Sequence, residues 1–195
     1  AQIEALGCLE SDENIQYLLL GDFSDGPHAH QKEDDGIVAS TRAMIQGMNA
    51  RAGWDKYAYL HRPRTFLKAD NRWMGFDRKR GALMALNRVL MGVEGAESAF
   101  EVVGSACERL KGRFAFVVTL DADTRLLPGT VQKLIGTLAH PLNRPSDGRG
   151  YAVLQPQMEL MPSACVNAFV RLFAGSGGVN TYPVSVSNFW QDLTG

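Results

Sequence analysis

The stretch Phe-Ala-Phe-Val-Val-Thr-Leu at positions 114–120 constrains the fold more strongly than any other part of the chain. It is apolar on both faces and runs directly into Asp121-Ala122-Asp123. A strand of this kind is typical of the centre of a parallel sheet, which helices cover from both sides. The stretch therefore predicts an α/β domain in which a buried strand ends at two carboxylates.

Strands and helices alternate along the rest of the chain. Short apolar runs at 17–20, 56–61 and 151–154 predict strands, and the first of them ends in the loop 21–27, which is rich in Gly and Asp. Apolar residues at helical spacing predict helices around 41–48, 77–90, 131–138 and 166–173, and in the second of these Leu83, Leu86 and Leu90 should face inward. This alternation predicts one α/β domain over residues 1–195, with a mostly parallel central sheet flanked by helices.

Composition limits the classes of protein to which the chain can belong. Its 195 residues are 45% hydrophobic and 21% charged, which suits one domain with a core and excludes a disordered chain. The net charge of -1 excludes a generally basic nucleic-acid binder. The three cysteines are scattered, which speaks against a disulfide framework or a zinc site. No apolar run is long enough for a membrane helix, so these residues are expected to be soluble.

Asp121 and Asp123 are the strongest candidates for a functional site. Side chains two residues apart in an extended segment point the same way, so both carboxylates can face one ligand. Open α/β sheets bind ligands beyond the carboxyl ends of their strands, which is where this pair lies. Hard oxygen ligands suit Mg²⁺ or Mn²⁺, which would also bind substrate phosphates. The alternative is a pair of loop acids that cap the turn before the next helix.

Two further segments carry groups that could bind a nucleotide. The sequence Arg78-Lys79-Arg80-Gly81 opens a predicted helix, where bases and free backbone N–H groups can hold a pyrophosphate. An ordinary basic helix cap is the alternative. Asp22, at the end of the first predicted strand, could accept a hydrogen bond from a base or a ribose, or could stabilise its turn.

A phosphatase is the rival interpretation of the Asp-x-Asp pair. Haloacid-dehalogenase-type phosphatases also place such a pair after an apolar strand, with the first Asp as nucleophile and the second as acid/base. Arg125 stands where that motif has Thr or Val, and a long segment precedes Asp121 although the phosphatase strand normally opens its domain. The phosphatase is therefore the second hypothesis, and a non-catalytic domain is the third.

Seven motifs cover nearly the whole chain when they are taken in order. They are Leu-Leu-Gly-Asp-Phe-Ser-Asp at 19–25, His-Arg-Pro-Arg at 61–64, Trp-Met-Gly-Phe-Asp-Arg-Lys-Arg-Gly at 73–81, Thr-Leu-Asp-Ala-Asp-Thr at 119–124, Ala-His-Pro-Leu-Asn-Arg-Pro at 139–145, Leu-Gln-Pro-Gln at 154–157 and Gln-Asp-Leu at 191–193. Together they resemble the glucosyltransferase domain of cyclic β-1,2-glucan synthases, which has the A-type glycosyltransferase fold. This combination is far more specific than any one of its motifs.

The resemblance implies a donor, a metal and an acceptor side. It implies that UDP-glucose is bound by Asp22, Lys79, Arg80, Asp121 and Asp123. Asp22 would meet the uracil, and Mg²⁺ or Mn²⁺ would bind at Asp121 and Asp123. Gln155 would lie on the side of the growing glucan acceptor. Gln157 and Asn188 stand where the family has Arg and Asp, so their roles stay open.

The resemblance also implies parts of the family's domain that lie outside these residues. We expect the family's first strand before Ala1 and its catalytic base beyond Gly195, so the A-type fold is incomplete and the 195 residues alone should be inactive. The intact protein is expected to be a membrane-embedded inverting transferase, with this part at the cytoplasmic face of the bacterial inner membrane. A sheet that lacks a strand exposes an edge, through which dimerisation or aggregation is expected.

Overall fold

The computed structural model describes residues 2–9, 12–101, 106–122, 124–145 and 150–156. Its elements are α1 (Gln2–Leu9), β1 (Tyr17–Asp22), α2 (Asp34–Ala52), β2 (Tyr57–Arg62), β3 (Thr65–Leu67), β4 (Arg72–Met74), α3 (Arg78–Leu90), a 3₁₀ helix (Ala96–Ala99), α4 (Ala106–Leu110), α5 (Thr130–Ala139) and a second 3₁₀ helix (Pro141–Asn143). The chain divides into two compact units, Ala1–Ile135 and Gly136–Gly195. The expectation of a single domain stays a prediction.

Two small sheets organise the first unit. β1 and β2 run parallel, in register from Tyr17 opposite Tyr57 to Asp22 opposite Arg62. β3 and β4 form an antiparallel pair in which Phe66 lies opposite Trp73. The parallel pair with its helices confirms a mixed α/β fold, while the A-type glycosyltransferase architecture stays an expectation.

The core lies on both faces of β2, because alternate side chains of a strand point to opposite sides. Ala58 and Leu60 pack in one cluster with α3, and Tyr57 and Tyr59 pack in another with α2. The helix partners are Leu86 and Val89 of α3 and Ile45 and Met48 of α2. The sheet is therefore covered by a helix on each side, as expected from the alternation of elements.

The structure confirms five of the predicted elements and corrects two. The runs at 17–20 and 56–61 form β1 and β2, and the patterns at 41–48, 77–90 and 131–138 form parts of α2, α3 and α5. The expected central strand at 114–120 is wrong, since that segment pairs with no strand among the described residues. The strand expected at 151–154 is also wrong, since those residues are irregular. The helix expected at 166–173 lies outside the described residues.

The segment 114–120 is exposed where a buried strand was expected. Phe116, Val117 and Val118 keep 38%, 49% and 40% of their surface in contact with solvent. Apolar residues on both faces make a strand suitable for a sheet interior, but burial also requires neighbouring strands. Within the described ranges β1 pairs with β2, and a groove, not a hydrogen-bonded ladder, lies between β1 and this segment.

No helix in the part of the chain that the structure describes combines the length and the apolar character that a membrane span requires.

Candidate functional site

A groove of about 470 Å³ lies within the first unit between β1, α3 and the segment that leads to Asp121. Its apolar lining comes from Leu18, Leu19 and Leu20 of β1, Ala82, Leu83, Leu86 and Leu90 of α3, and Leu110, Phe114, Phe116, Val117, Val118 and Leu120. Its charged lining is Asp22, Lys79 and Asp121. Three of the five predicted donor-binding residues, drawn from three separate segments, therefore lie in one groove.

Lys79 and Asp121 are in direct contact at this groove, with Lys79 Nζ donating to Asp121 Oδ1. Both side chains are more than half exposed, at 57% and 60%. The ammonium projects from the first turn of α3, and the carboxylate follows the segment 114–120. The arrangement places a cation and an anion side by side at the surface, both open to an incoming ligand.

The three consecutive bases at the start of α3 point to three different carboxylates. Arg78 Nη2 lies 2.9 Å from Asp25 Oδ2, and Arg80 Nε lies 3.4 Å from Asp77 Oδ2. Lys79 is the one of the three that lines the groove. Arg80 is not among the groove-lining residues, so its predicted role in donor binding stays a prediction without support from its position.

Asp22 ends β1 and is held by a buried arginine. Arg62 Nε donates to Asp22 Oδ1 at 2.7 Å, and Arg62 Nη2 donates to Asp22 Oδ2 at 2.6 Å. The Arg62 side chain is 7% exposed and that of Asp22 is 26% exposed. This paired geometry orients the carboxylate rigidly, because the planar guanidinium matches both of its oxygens at once. Asp22 reaches the groove with its charge balanced and its direction fixed.

A divalent cation fits the described part of the site only through Asp121. The described ranges contain no cluster of three His, Cys, Asp or Glu side chains that could hold a metal ion. Asp123, the other predicted ligand, lies outside those ranges. One exposed carboxylate suits Mg²⁺ or Mn²⁺, which keep several waters and bind substrate phosphates through the remaining positions. The chemistry of the donor set fits the metal, and the metal itself stays a prediction.

The remaining predicted residues lie elsewhere or outside the described ranges. Gln155 is exposed and belongs to the second unit, Gly136–Gly195. Gln157 and Asn188 lie outside the described residues. The role of Gln155 on the acceptor side therefore stays a prediction.

Arg62 is the residue of this region to which the sequence motifs assigned no role. A signal for it existed, because Asp22 and Arg62 are the last residues of two parallel strands and are register partners. Opposite charges at the same end of neighbouring strands predict an ion pair once the register is known. The register itself depends on tertiary pairing, which a single sequence does not specify.

Comparison with known proteins relates the chain to one large enzyme. No protein-family model matches it. Over 199 aligned residues it is 33% identical to the cyclic β-(1,2)-glucan synthase NdvB of Rhizobium meliloti (strain 1021). The alignment covers 93% of this chain, and the chain spans 7% of the length of that synthase. The chain is thus a relative of one segment of the cyclic β-(1,2)-glucan synthases, which confirms the resemblance drawn from its motifs.

Proposed function

We propose that this chain supplies the donor-binding part of an inverting glucosyltransferase that builds a β-1,2-glucan from UDP-glucose. The observation that carries the proposal is the convergence of Asp22, Lys79 and Asp121 on one groove. The similarity to a glucan synthase supports the same class of reaction. The intact protein would act at the cytoplasmic face of a membrane, with the growing glucan as its second substrate.

Each polar group of the groove has a role in this proposal. The Lys79 ammonium would bind the diphosphate and stabilise the negative charge that it gains as its bond to the anomeric carbon breaks. Asp22, oriented by Arg62, would accept a hydrogen bond from the uracil. The apolar walls of the groove would exclude water from the nucleotide.

A divalent cation would complete the site. Asp121, together with Asp123, would hold Mg²⁺ or Mn²⁺, which neutralises negative charge on a departing diphosphate. The Lys79–Asp121 contact is compatible with this role, because an exposed ion pair can separate at small cost when stronger partners arrive. Both side chains are then free to turn toward the ligand.

The catalytic base is assigned outside the described groove. An inverting transfer requires a base that removes the proton of an acceptor hydroxyl as it attacks the anomeric carbon. Asp22 has both oxygens bonded to Arg62, and Asp121 is assigned to the cation in this proposal. In this proposal both carboxylates therefore bind and orient the donor. Gln155 is proposed separately, as a residue of the acceptor side.

Calorimetric titration of the chain with UDP, with and without Mn²⁺, tests the proposal. We expect weak binding that requires the metal, and we expect Asp123→Ala to abolish it. UMP, which lacks the second phosphate, should bind more weakly than UDP. Binding of UDP that is equally tight without metal, or that survives Asp123→Ala unchanged, would contradict the assignment.

A further inference from the structure

Arg62 joins two segments of the groove that are far apart in the sequence. Besides its two bonds to Asp22, its Nη1 donates to the carbonyl oxygen of Phe76 at 3.0 Å and its Nη2 to that of Arg78 at 2.8 Å. One buried guanidinium therefore binds the last residue of β1 and both sides of the turn that begins α3. Lys79 follows directly after the second of these carbonyl groups.

The turn that Arg62 binds has an unusual backbone. Asp77 and Arg78 are consecutive residues with positive φ angles, 53° and 44°. Residues other than Gly seldom adopt this region of backbone conformation. Such a conformation persists only where surrounding contacts hold it. The bonds from Arg62 to Phe76 and Arg78 lie on either side of Asp77 and supply such contacts.

Two glycines show how closely the parts around Arg62 are packed. A Cβ atom at Gly75 would lie 2.8 Å from Asp22 Oδ2 and 3.1 Å from Arg62 Nη2. A Cβ atom at Gly81 would overlap the Phe76 carbonyl oxygen and lie 3.0 Å from Arg62 Nη1. A change at Arg62 is therefore transmitted directly to its neighbours, because little free space separates them.

We propose that Arg62 is a positioning residue of the groove, which sets Asp22 directly and Lys79 through the backbone of the turn before α3. The inference rests on the proposed function, since it assigns Arg62 to the binding of the donor diphosphate and uracil. Arg62 does not line the groove, so it acts through these two residues without touching the ligand. Lysine cannot replace it, because an ammonium group lacks the fork of donors that reaches all three partners.

Arg64 provides a matched control for a merely structural role. It lies two residues further along, its side chain is 1% exposed, and it forms a similar two-bond pair with Asp34 at 2.5 and 3.0 Å. Its other bonds go to the carbonyl groups of Ser24 and Ala29. None of these partners lines the groove, so loss of Arg64 should affect stability without the same effect on the site.

The test compares Arg62→Lys with Arg64→Lys by titration with UDP in the presence of Mn²⁺. We expect Arg62→Lys to weaken UDP binding about tenfold or more, and Arg64→Lys to leave it within about twofold. Hydrogen exchange should become faster at 78–82 in Arg62→Lys and unchanged there in Arg64→Lys. In the unmodified chain, addition of UDP should shift the NMR signal of Arg62 Nε–H and leave that of Arg64 Nε–H in place.

The outcomes separate this inference from the proposed function. If the unmodified chain binds UDP while Arg62→Lys binds it equally well, the inference is overturned and the function stands. The same holds if both variants lose equal affinity, or if the Arg62 signal does not respond to UDP. The NMR measurement needs no variant, so it decides the matter even if Arg62→Lys fails to fold. An unmodified chain that binds no UDP would overturn both proposals.

Discussion

Lys79 and Asp121 are 42 residues apart in the sequence and in contact at the groove. An ion pair exposed to this degree contributes at most about 1 kcal/mol to folding. Its small contribution to folding agrees with the role in ligand binding that we propose for the pair. The ammonium can leave the carboxylate for a phosphate with little loss, which is what a reversible nucleotide site requires.

Replacement of Gly81 by alanine should destabilise the protein. The added Cβ would overlap the Phe76 carbonyl oxygen, which Arg62 also binds, so backbone at the start of α3 must move. We expect a loss of about 1–3 kcal/mol in the free energy of unfolding, measured by urea denaturation. Gly36→Ala is the matched control, because a Cβ there meets nothing within 4 Å and the residue lies inside α2. That variant should gain about 0.5–1 kcal/mol, and equal effects at both sites would contradict the prediction.

His61 should make the stability of the protein depend on pH. Burial lowers the pKa of His61 from its ordinary value of 6.5, its Nε2 has no partner among the described residues, and its Nδ1 lies 2.7 Å from the Tyr59 hydroxyl. The folded chain then binds fewer protons than the unfolded chain, so the free energy of unfolding falls as pH drops below 6.5. The fall should end below the lowered pKa of the folded state.

Urea denaturation at about pH 7.5 and about pH 5.5 measures this dependence. His61→Asn keeps a polar group near Tyr59 and does not titrate, so its stability should change less between the two pH values. A variant that loses as much stability as the unmodified chain on acidification would exclude His61 as the cause.

The exposed segment at 116–118 should promote self-association. Val117 and its neighbours present an apolar surface beside β1, and an unpaired apolar edge is a site for strand pairing between molecules. Sedimentation velocity over a range of concentrations should reveal dimers or larger species, and Val117→Lys should reduce them. Val153→Lys is the control, since Val153 is 81% exposed and does not line the groove. A chain that remains monomeric at all concentrations, or equal effects of the two substitutions on association, would contradict this prediction.

The phosphatase hypothesis makes a different prediction at Asp121. A phosphatase of that type would hydrolyse p-nitrophenyl phosphate, and Asp121→Asn would abolish the reaction because it removes the nucleophile. We expect no hydrolysis by the unmodified chain, since Arg125 stands where the phosphatase motif has Thr or Val and the relative is a glucan synthase. Hydrolysis that disappears in Asp121→Asn would favour the phosphatase over the transferase.

The residue pattern within a segment was sufficient to predict β1 and α3. The apolar run that forms β1 and the helical spacing of Leu83, Leu86 and Leu90 in α3 were both readable from the sequence. Of those three leucines, Leu86 is buried and the other two are half-buried, beside the buried Ala82 and Val89. The inward face predicted for α3 therefore differs from the observed buried face by one residue.

The features that depend on distant pairing were not predictable in the same way. The segment 114–120 has the composition of a central strand, yet its burial depends on neighbours that its own residues do not specify. Arg62 looks like an ordinary charge after a strand until the register places it opposite Asp22. The contact between Lys79 and Asp121 depends on the tertiary fold. That Lys79 reaches this contact while Arg80 pairs with Asp77 depends on the direction of each side chain.

The most direct measurement is titration of UDP, with Mn²⁺ present, into two variants of adjacent cations, Lys79→Gln and Arg80→Gln. Both substitutions remove one positive charge from the first turn of α3, but Lys79 lines the groove and Arg80 pairs with Asp77. Lys79→Gln should weaken binding about tenfold or more, and Arg80→Gln should weaken it by about threefold or less. Equal losses in the two variants, or a greater loss in Arg80→Gln, would contradict the assignment of the donor site to this groove.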